Sequence, residues 1–396
     1  MAVQTVALVR CEDYSRELVY SRVKEAIDLL GGLDRFAKKG QRVLVKPNIL
    51  RASPPDEAVC THPNVIWAVC RLLRENGCEV VLAESPGAGA VYGPNQLRKA
   101  YETAGYSSLS EELGVVLNEN VSYREVANPD GRLVKRFLII EPAIEADVLI
   151  VVSKLKTHLL TKMTAATKNL FGVVPGMEKA SFHGRLQDPM DFSRMLVDLN
   201  ELMRPSLQII DAIVGMEGDG PGSGDPRKLG AIIASPSYAA ADVVAARMIG
   251  LDAASVPTIG AAVERGAIDG DLQVEVRGEA LQDLTVQDFR LPSTYARGRN
   301  PSGGAVVRRM AKLVRSYTLR PYIDPDRCNG CGRCERSCPT KAIRQVRGRM
   351  KVRVRDCIRC YTCHEMCANG AIDLERSMAG KIMVRVMERR PGRDVK

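Results

Sequence analysis

Apolar residues recur along most of the chain in two rhythms. Short runs rich in β-branched residues alternate with longer segments whose apolar positions fall three or four apart. The runs predict strands at Thr5–Arg10, Arg42–Leu50, Glu79–Ala83, Leu133–Ile140, Ala146–Lys156, Leu207–Val214, Gly230–Ala234 and Leu272–Val276. The longer segments predict helices at Leu18–Phe36, closed by the Gly31-Gly32 region or soon after, and at Asn64–Glu75, Asn95–Ala104, Thr161–Phe171, Asp191–Met203 and Ala239–Ile249. Proline donates no ladder hydrogen bond, so Pro47 should stop the second strand. The alternation is that of an α/β fold, a mostly parallel sheet with helices on both faces.

Charge divides the 396 residues unevenly. Up to Leu291 there are 32 basic and 38 acidic residues; from Pro292 onward there are 25 and 9. Eight of the 12 cysteines fall between Cys328 and Cys367. Together these asymmetries predict an α/β domain over 1–291, a basic linker over 292–320 and a small C-terminal domain over 321–396. Val306–Leu319 within the linker could form a short basic helix. Only Tyr295 and Tyr317 offer stacking surfaces there, which argues against nucleic acid as a partner. There is no apolar run of about 18 residues to span a membrane and no secretory pattern at Met1–Cys11. A cytoplasmic protein without a transmembrane segment is expected.

The cysteine spacing carries the strongest chemistry. Cys328, Cys331, Cys334 and Cys338 stand in a C-x2-C-x2-C-x3-C run followed by Pro339, and Cys357, Cys360, Cys363 and Cys367 repeat it with Ala368 in the proline's place. Three thiolates two residues apart can converge on three corners of an iron–sulfur cube, while the fourth points elsewhere. Zinc sites favour two CxxC-like pairs, and disulfide frameworks favour secreted domains. From about Pro321 to Glu375 the chain resembles a bacterial-type ferredoxin with two 4Fe-4S clusters. The resemblance implies a crosswise ligand set: Cys328, Cys331, Cys334 and Cys367 for one cluster, Cys357, Cys360, Cys363 and Cys338 for the other. Arg327, Arg333, Arg336, Arg355 and Arg359 would partly neutralise the clusters and steer an acidic redox protein or electron carrier toward them. Cys11, Cys60, Cys70 and Cys78 lack such spacing and read as buried thiols.

Three polar segments interrupt the first domain where a core would prefer apolar residues. Lys46-Pro47-Asn48 closes a strand, with Thr61-His62-Pro63 beyond it. Lys154, Lys156 and His158 close the strongest strand, followed by Thr161, Lys168 and Asn169. Asp211 interrupts an apolar run, and the glycine-rich stretch after it carries Glu217, Asp219 and Asp225, which could hold a divalent cation. In open parallel sheets, ligands bind outside the carboxyl ends of the strands. Lysines there, with Thr161 capping the next helix, would suit a small anion. Lys46, Asn48, Lys154, Lys156, Thr161, Lys168 and Asn169 are therefore candidate substrate-binding residues. His158, His183 and Asp211 are candidate catalytic groups, the histidines as proton donors. The glycine-rich stretch fits neither GxGxxG nor GxxxxGK[ST].

The segments KPN, THP, KTH with TKNLFG, IVGMEGDGP and AADVVAARMIG resemble the domain-of-unknown-function family 362, often fused to ferredoxin clusters. That family often has an acidic residue ahead of Asp242, where this chain has Ser237. The resemblance implies architecture and no agreed reaction. The function expected is electron relay between the clusters and an anionic substrate, a ferredoxin-linked oxidoreductase. The alternative is a non-catalytic iron–sulfur carrier or assembly factor whose α/β domain docks a protein partner.

Overall fold

The computed structural model describes residues 3–87, 92–295, 319–346 and 348–375. The helix expected at Val306–Leu319 lies almost wholly outside them.

The first domain is built from β1 (Gln4–Arg10), α1 (Arg16–Asp28), β2 (Arg42–Lys46), α2 (Pro63–Glu75), β3 (Glu79–Leu82), α3 (Pro94–Ala104), α4 (Ser108–Leu113) and β4 (Val116–Leu117). A small hairpin of β5 (Tyr123–Ala127) and β6 (Arg136–Ile140) follows, then α5 (Glu141–Glu145) and β7 (Val148–His158). Next come β8 (Lys162–Thr164), α6 (Ala166–Asn169), α7 (Gly176–Arg185), α8 (Pro189–Met203), β9 (Leu207–Glu217) and β10 (Asp225–Ser235). The domain closes with α9 (Tyr238–Met248), α10 (Pro257–Arg265) and β11 (Val274–Gly278). The nine-stranded sheet runs β11-β1-β10-β9-β7-β2-β3-β4, with β8 paired to β7. Neighbours on this path are parallel except at β10, which is antiparallel to both β1 and β9.

Strand alternation distributes side chains to two apolar layers. Val43, Val45, Ile150, Val152 and Ile209 pack with α1 to α4 on one face. Leu44, Leu149 and Val151 pack with Leu170, Phe171, α7 and α8 on the other, while Ile210 and Ile233 join α6, α9 and α10 there.

Two expected elements differ. The first helix stops at Asp28, because Gly31 and Gly32 take φ of 104° and 88°, values that end a helix and that other residues rarely adopt. The helix expected at Thr161–Phe171 begins instead as a hairpin. His158 Nδ1 accepts from the N–H groups of Leu160 and Thr161, curling the chain so that β8 returns along β7. The Thr161 hydroxyl donates to the Met163 carbonyl, so it caps no helix.

The C-terminal module contains β12 (Arg320–Ile323), β13 (Ile343–Val346), β14 (Arg349–Val352) and β15 (Ile372–Glu375), with single-turn helices at Arg333–Arg336 and Thr362–Glu365. β12 pairs with β15 and β13 with β14, both antiparallel. Its small core joins Ile323, Ile343, Met350 and Ile372 to Cys334 and Cys363.

Candidate functional site

β7, β2 and β3 are adjacent and parallel, so their carboxyl ends open on one side of the sheet. They place Lys156 and the Glu84-Ser85 pair around a cavity of about 50 Å³. Lys168 and Asn169 of α6, and Lys179 and His183 of α7, form the opposite wall. Glu365, from the C-terminal module, also lines it.

Lys46 is fully buried behind the pocket. Its ammonium donates to Glu84 at 2.5 Å, the Pro47 carbonyl at 2.9 Å and Asn169 Oδ1 at 3.1 Å, which uses all three protons. Gly172 is required beside this pair, because a Cβ there would collide with the Glu84 carboxylate. Since Asn169 Oδ1 accepts from Lys46, its amide NH2 is the group left over, and Asn169 Nδ2 is buried with no partner. Lys179 donates to Ser85 O, Ser85 Oγ and Val174 O. Lys156 donates only to Val59 O, at 2.7 Å. Burial pushes the pKa of both Lys156 and Lys179 down to about 7. Burial also lowers that of Lys168.

His158 is buried beside the pocket. With Nδ1 accepting two backbone N–H groups, the ring proton resides on Nε2, which lies 3.2 Å from Glu365 Oε1. Burial holds the His158 pKa down at about 4, so the ring is neutral at physiological pH. Burial raises the Glu365 pKa, but His158, Lys168 and His183 outweigh it and keep the carboxylate ionised. His183 faces the cavity directly. It stacks on Phe192 with ring centroids 4.4 Å apart, and its Nδ1 has no partner.

Lys154 and Asp211 do not line this pocket. They face each other across β7 and β9 in register, with Lys154 Nζ 2.9 Å from Asp211 Oδ2. Tyr14 donates its hydroxyl to Asp211 and accepts from Lys154, and His62 stacks on the Tyr14 ring at 3.6 Å. The Asp211 carboxylate also accepts from the His62 backbone, just ahead of α2, where the His62 ring caps Asn64 N. This network is internally satisfied and joins α1, α2 and the sheet.

The acidic side chains of the glycine-rich stretch are engaged by neighbouring residues. Arg290 bridges Glu217 at 2.8 Å and Asp225 at 2.5 Å, and Asp219 accepts from Ser293 N. Among the described residues no three His, Cys, Asp or Glu side chains gather around a single-ion site. At Gly222 a Cβ would strike the Glu365 carbonyl, and at Gly220 that of Thr157. Ser223 Oγ donates to the His364 carbonyl at 3.3 Å. These glycines let the loop pass closely between β7 and the C-terminal module.

In that module, Cys328, Cys331, Cys334 and Cys367 line a cavity of about 110 Å³. Cys363 is faced by Cys360, Cys357, Cys334 and Cys338. Backbone N–H groups of Ala342 and Ala371 point at the Cys338 and Cys367 sulfurs at 3.2 and 3.3 Å. Such hydrogen bonds raise the reduction potential of an iron–sulfur group. Four thiols around a cavity, with amides aimed at sulfur, fit a cubane cluster. Arg327 is committed elsewhere, to Asp324, Asp373 and the Gly370 carbonyl.

Residues 43–247 match the family described as a domain of unknown function, DUF362, and residues 321–344 match a 4Fe-4S binding domain. The chain belongs to the DUF362 family. It is also an iron–sulfur protein, with the DUF362 unit ahead of the ferredoxin-like module. A thylakoid-associated protein of Synechocystis, sll1697, is 33% identical over 291 residues, covering 73% of this chain and 88% of that one. An uncharacterized protein of Methanocaldococcus jannaschii, MJ0749, is 38% identical over 87 residues, 22% of this chain and 32% of that one. Among solved structures, the lactate racemase apoprotein of Thermoanaerobacterium thermosaccharolyticum is similar, with a TM-score of 0.36 and 11% identity, covering 59% of this chain and 54% of that one.

Within the DUF362 unit, the structure brings together Asn48, Lys156, Lys168, Asn169 and His183, with Lys46 behind them. Asp242 fills the start of α6, accepting from the N–H groups of Ala166 and Thr167, so no free helix end faces the cavity there. Ser237 caps α9 by accepting from Ala240 N. Sequence reasoning missed Glu84, Ser85, Lys179 and Glu365. Lys179 could have been found from His183, which stands four residues later on the same face of α7. Cys11, Cys60, Cys70 and Cys78 are buried free thiols, as their spacing suggests.

Proposed function

We propose that the chain is a ferredoxin-linked oxidoreductase. In this reading it binds two 4Fe-4S clusters through eight cysteines and passes single electrons between an acidic carrier protein and an anionic substrate. The supporting observation is the position of Glu365. It stands two residues from Cys363 and two from Cys367, yet forms part of the wall of the lysine-lined pocket and pairs with His158. One wall of the substrate site and the thiolate loop are thus the same piece of chain.

The clusters supply one-electron chemistry, and the residues of the pocket do the rest. Lys156 and Lys168 attract and hold the anion. His158 packs beside Glu365, its Nε2 lying 3.2 Å from Oε1, and limits where that carboxylate can move. Ile49, Leu50 and Phe171 line the remainder of the cavity and exclude water. His183, which lines the cavity and whose Nδ1 has no hydrogen-bond partner, is the proton-exchanging group.

Anaerobically purified protein is expected to carry roughly eight iron and eight acid-labile sulfide per chain, and to bleach reversibly when reduced. Zinc in place of iron, or iron for one cluster only, would overturn the two-cluster assignment.

A further inference from the structure

The pocket at the ends of β2, β3 and β7 contains more cationic than anionic groups. Three lysines line it, with Lys46 behind them, against the carboxylates of Glu84 and Glu365. Glu84 is engaged by Lys46. Among the described residues Lys156, Lys168 and Lys179 form no ion pair with any carboxylate within 4.0 Å. A buried unpaired ammonium is costly, and proteins seldom bury one without a counter-charge. Donors are also left over. Lys156, 1% exposed, has a single acceptor, and Asn169 Nδ2, on a residue 4% exposed, has none. Lys168 has no hydrogen-bond acceptor among the described residues. These three residues reach the cavity from two elements, β7 and α6.

Size limits the ligand. Seating one water needs about 10–15 Å³, so a cavity of about 50 Å³ accommodates only a few such atoms. We infer that Lys156, Lys168 and Asn169 form a binding site for a small oxyanion, a tetrahedral oxyanion or a short carboxylate, and not for a nucleotide or sugar phosphate. This deepens the proposed function by naming its substrate class, but the binding itself does not depend on electron transfer.

The charge of Lys156 is sensitive to pH near neutrality. It is faced by Cys60 and Arg51 from the loop between β2 and α2, by Lys168 from α6 and by Lys154 on its own strand. Oxyanion binding favours the ammonium form, so affinity should fall as pH rises above 7.

The test is anaerobic calorimetry on the cluster-loaded full chain, with sulfate as the probe because it stays fully ionised. One sulfate per chain is expected. Affinity should weaken at least about tenfold in Lys156→Met and in Lys168→Met, fall between pH 6.5 and 8.5, and stay unchanged in Lys99→Met on the exposed face of α3. AMP should bind far more weakly than sulfate. Absence of sulfate binding, or equal weakening in Lys99→Met, would overturn the site; AMP binding as tightly would overturn the size class. Sulfate binding by a protein whose clusters accept no electrons would leave this site standing and remove the redox role instead.

Discussion

Replacing Cys328 and Cys367 together with serine is expected to leave about half of the iron, whereas replacing Cys328 and Cys338 together should remove nearly all of it. The difference would follow from the proposed crosswise ligand set for two clusters. Cys367 lines the same cavity as Cys328, Cys331 and Cys334, although it ends the other run in sequence. Cys338 lies instead beside Cys360 and Cys363. The first pair of substitutions therefore disables one cluster twice, and the second disables both once. Iron and sulfide analysis of the two double variants, with Cys328→Ser alone as the reference, decides the matter. If each run held its own cluster, the two outcomes would be exchanged.

Asp211→Ala is expected to destabilise the α/β domain by about 3–5 kcal/mol, because it leaves the Lys154 ammonium buried without its counter-charge. Tyr14 and the His62 backbone lose an acceptor at the same time. The double variant Lys154→Met/Asp211→Leu should recover much of the loss, since apolar replacement of a buried ion pair is often close to neutral. Denaturant midpoints for wild type, both single variants and the double variant provide the cycle. A loss below about 1 kcal/mol in Asp211→Ala would show that water reaches the pair.

Much of this architecture can be read from the chain because each signal is local. The runs at Val43–Val45 and Ile150–Val152 alternate between two helix layers, so burial on both faces shows as continuous hydrophobicity. The cysteine spacing is equally local. What stayed hidden depends on tertiary contacts. Thr161 looks like a helix cap, and only the His158 ring, folding back onto Leu160 and Thr161, makes a hairpin there. Lys154 and Lys156 are two residues apart on one strand, yet one is drawn to Asp211 of β9 and the other opens into the cavity. A register shift between β7 and β9 separates them, and nothing in the local sequence announces it. Glu365 reads as part of a ferredoxin loop, and its role in the pocket depends on how the two domains pack.

The most direct measurement is the midpoint potential of the clusters, titrated anaerobically with and without saturating sulfate. A negative charge held beside Glu365 should stabilise the oxidised state and shift at least one potential downward by roughly tens of millivolts. By reciprocity, reduction should weaken sulfate binding to the same degree. The shift should disappear in Lys156→Met. Identical potentials with the pocket filled and empty would contradict an electronic connection between the lysine pocket and the thiolate loops.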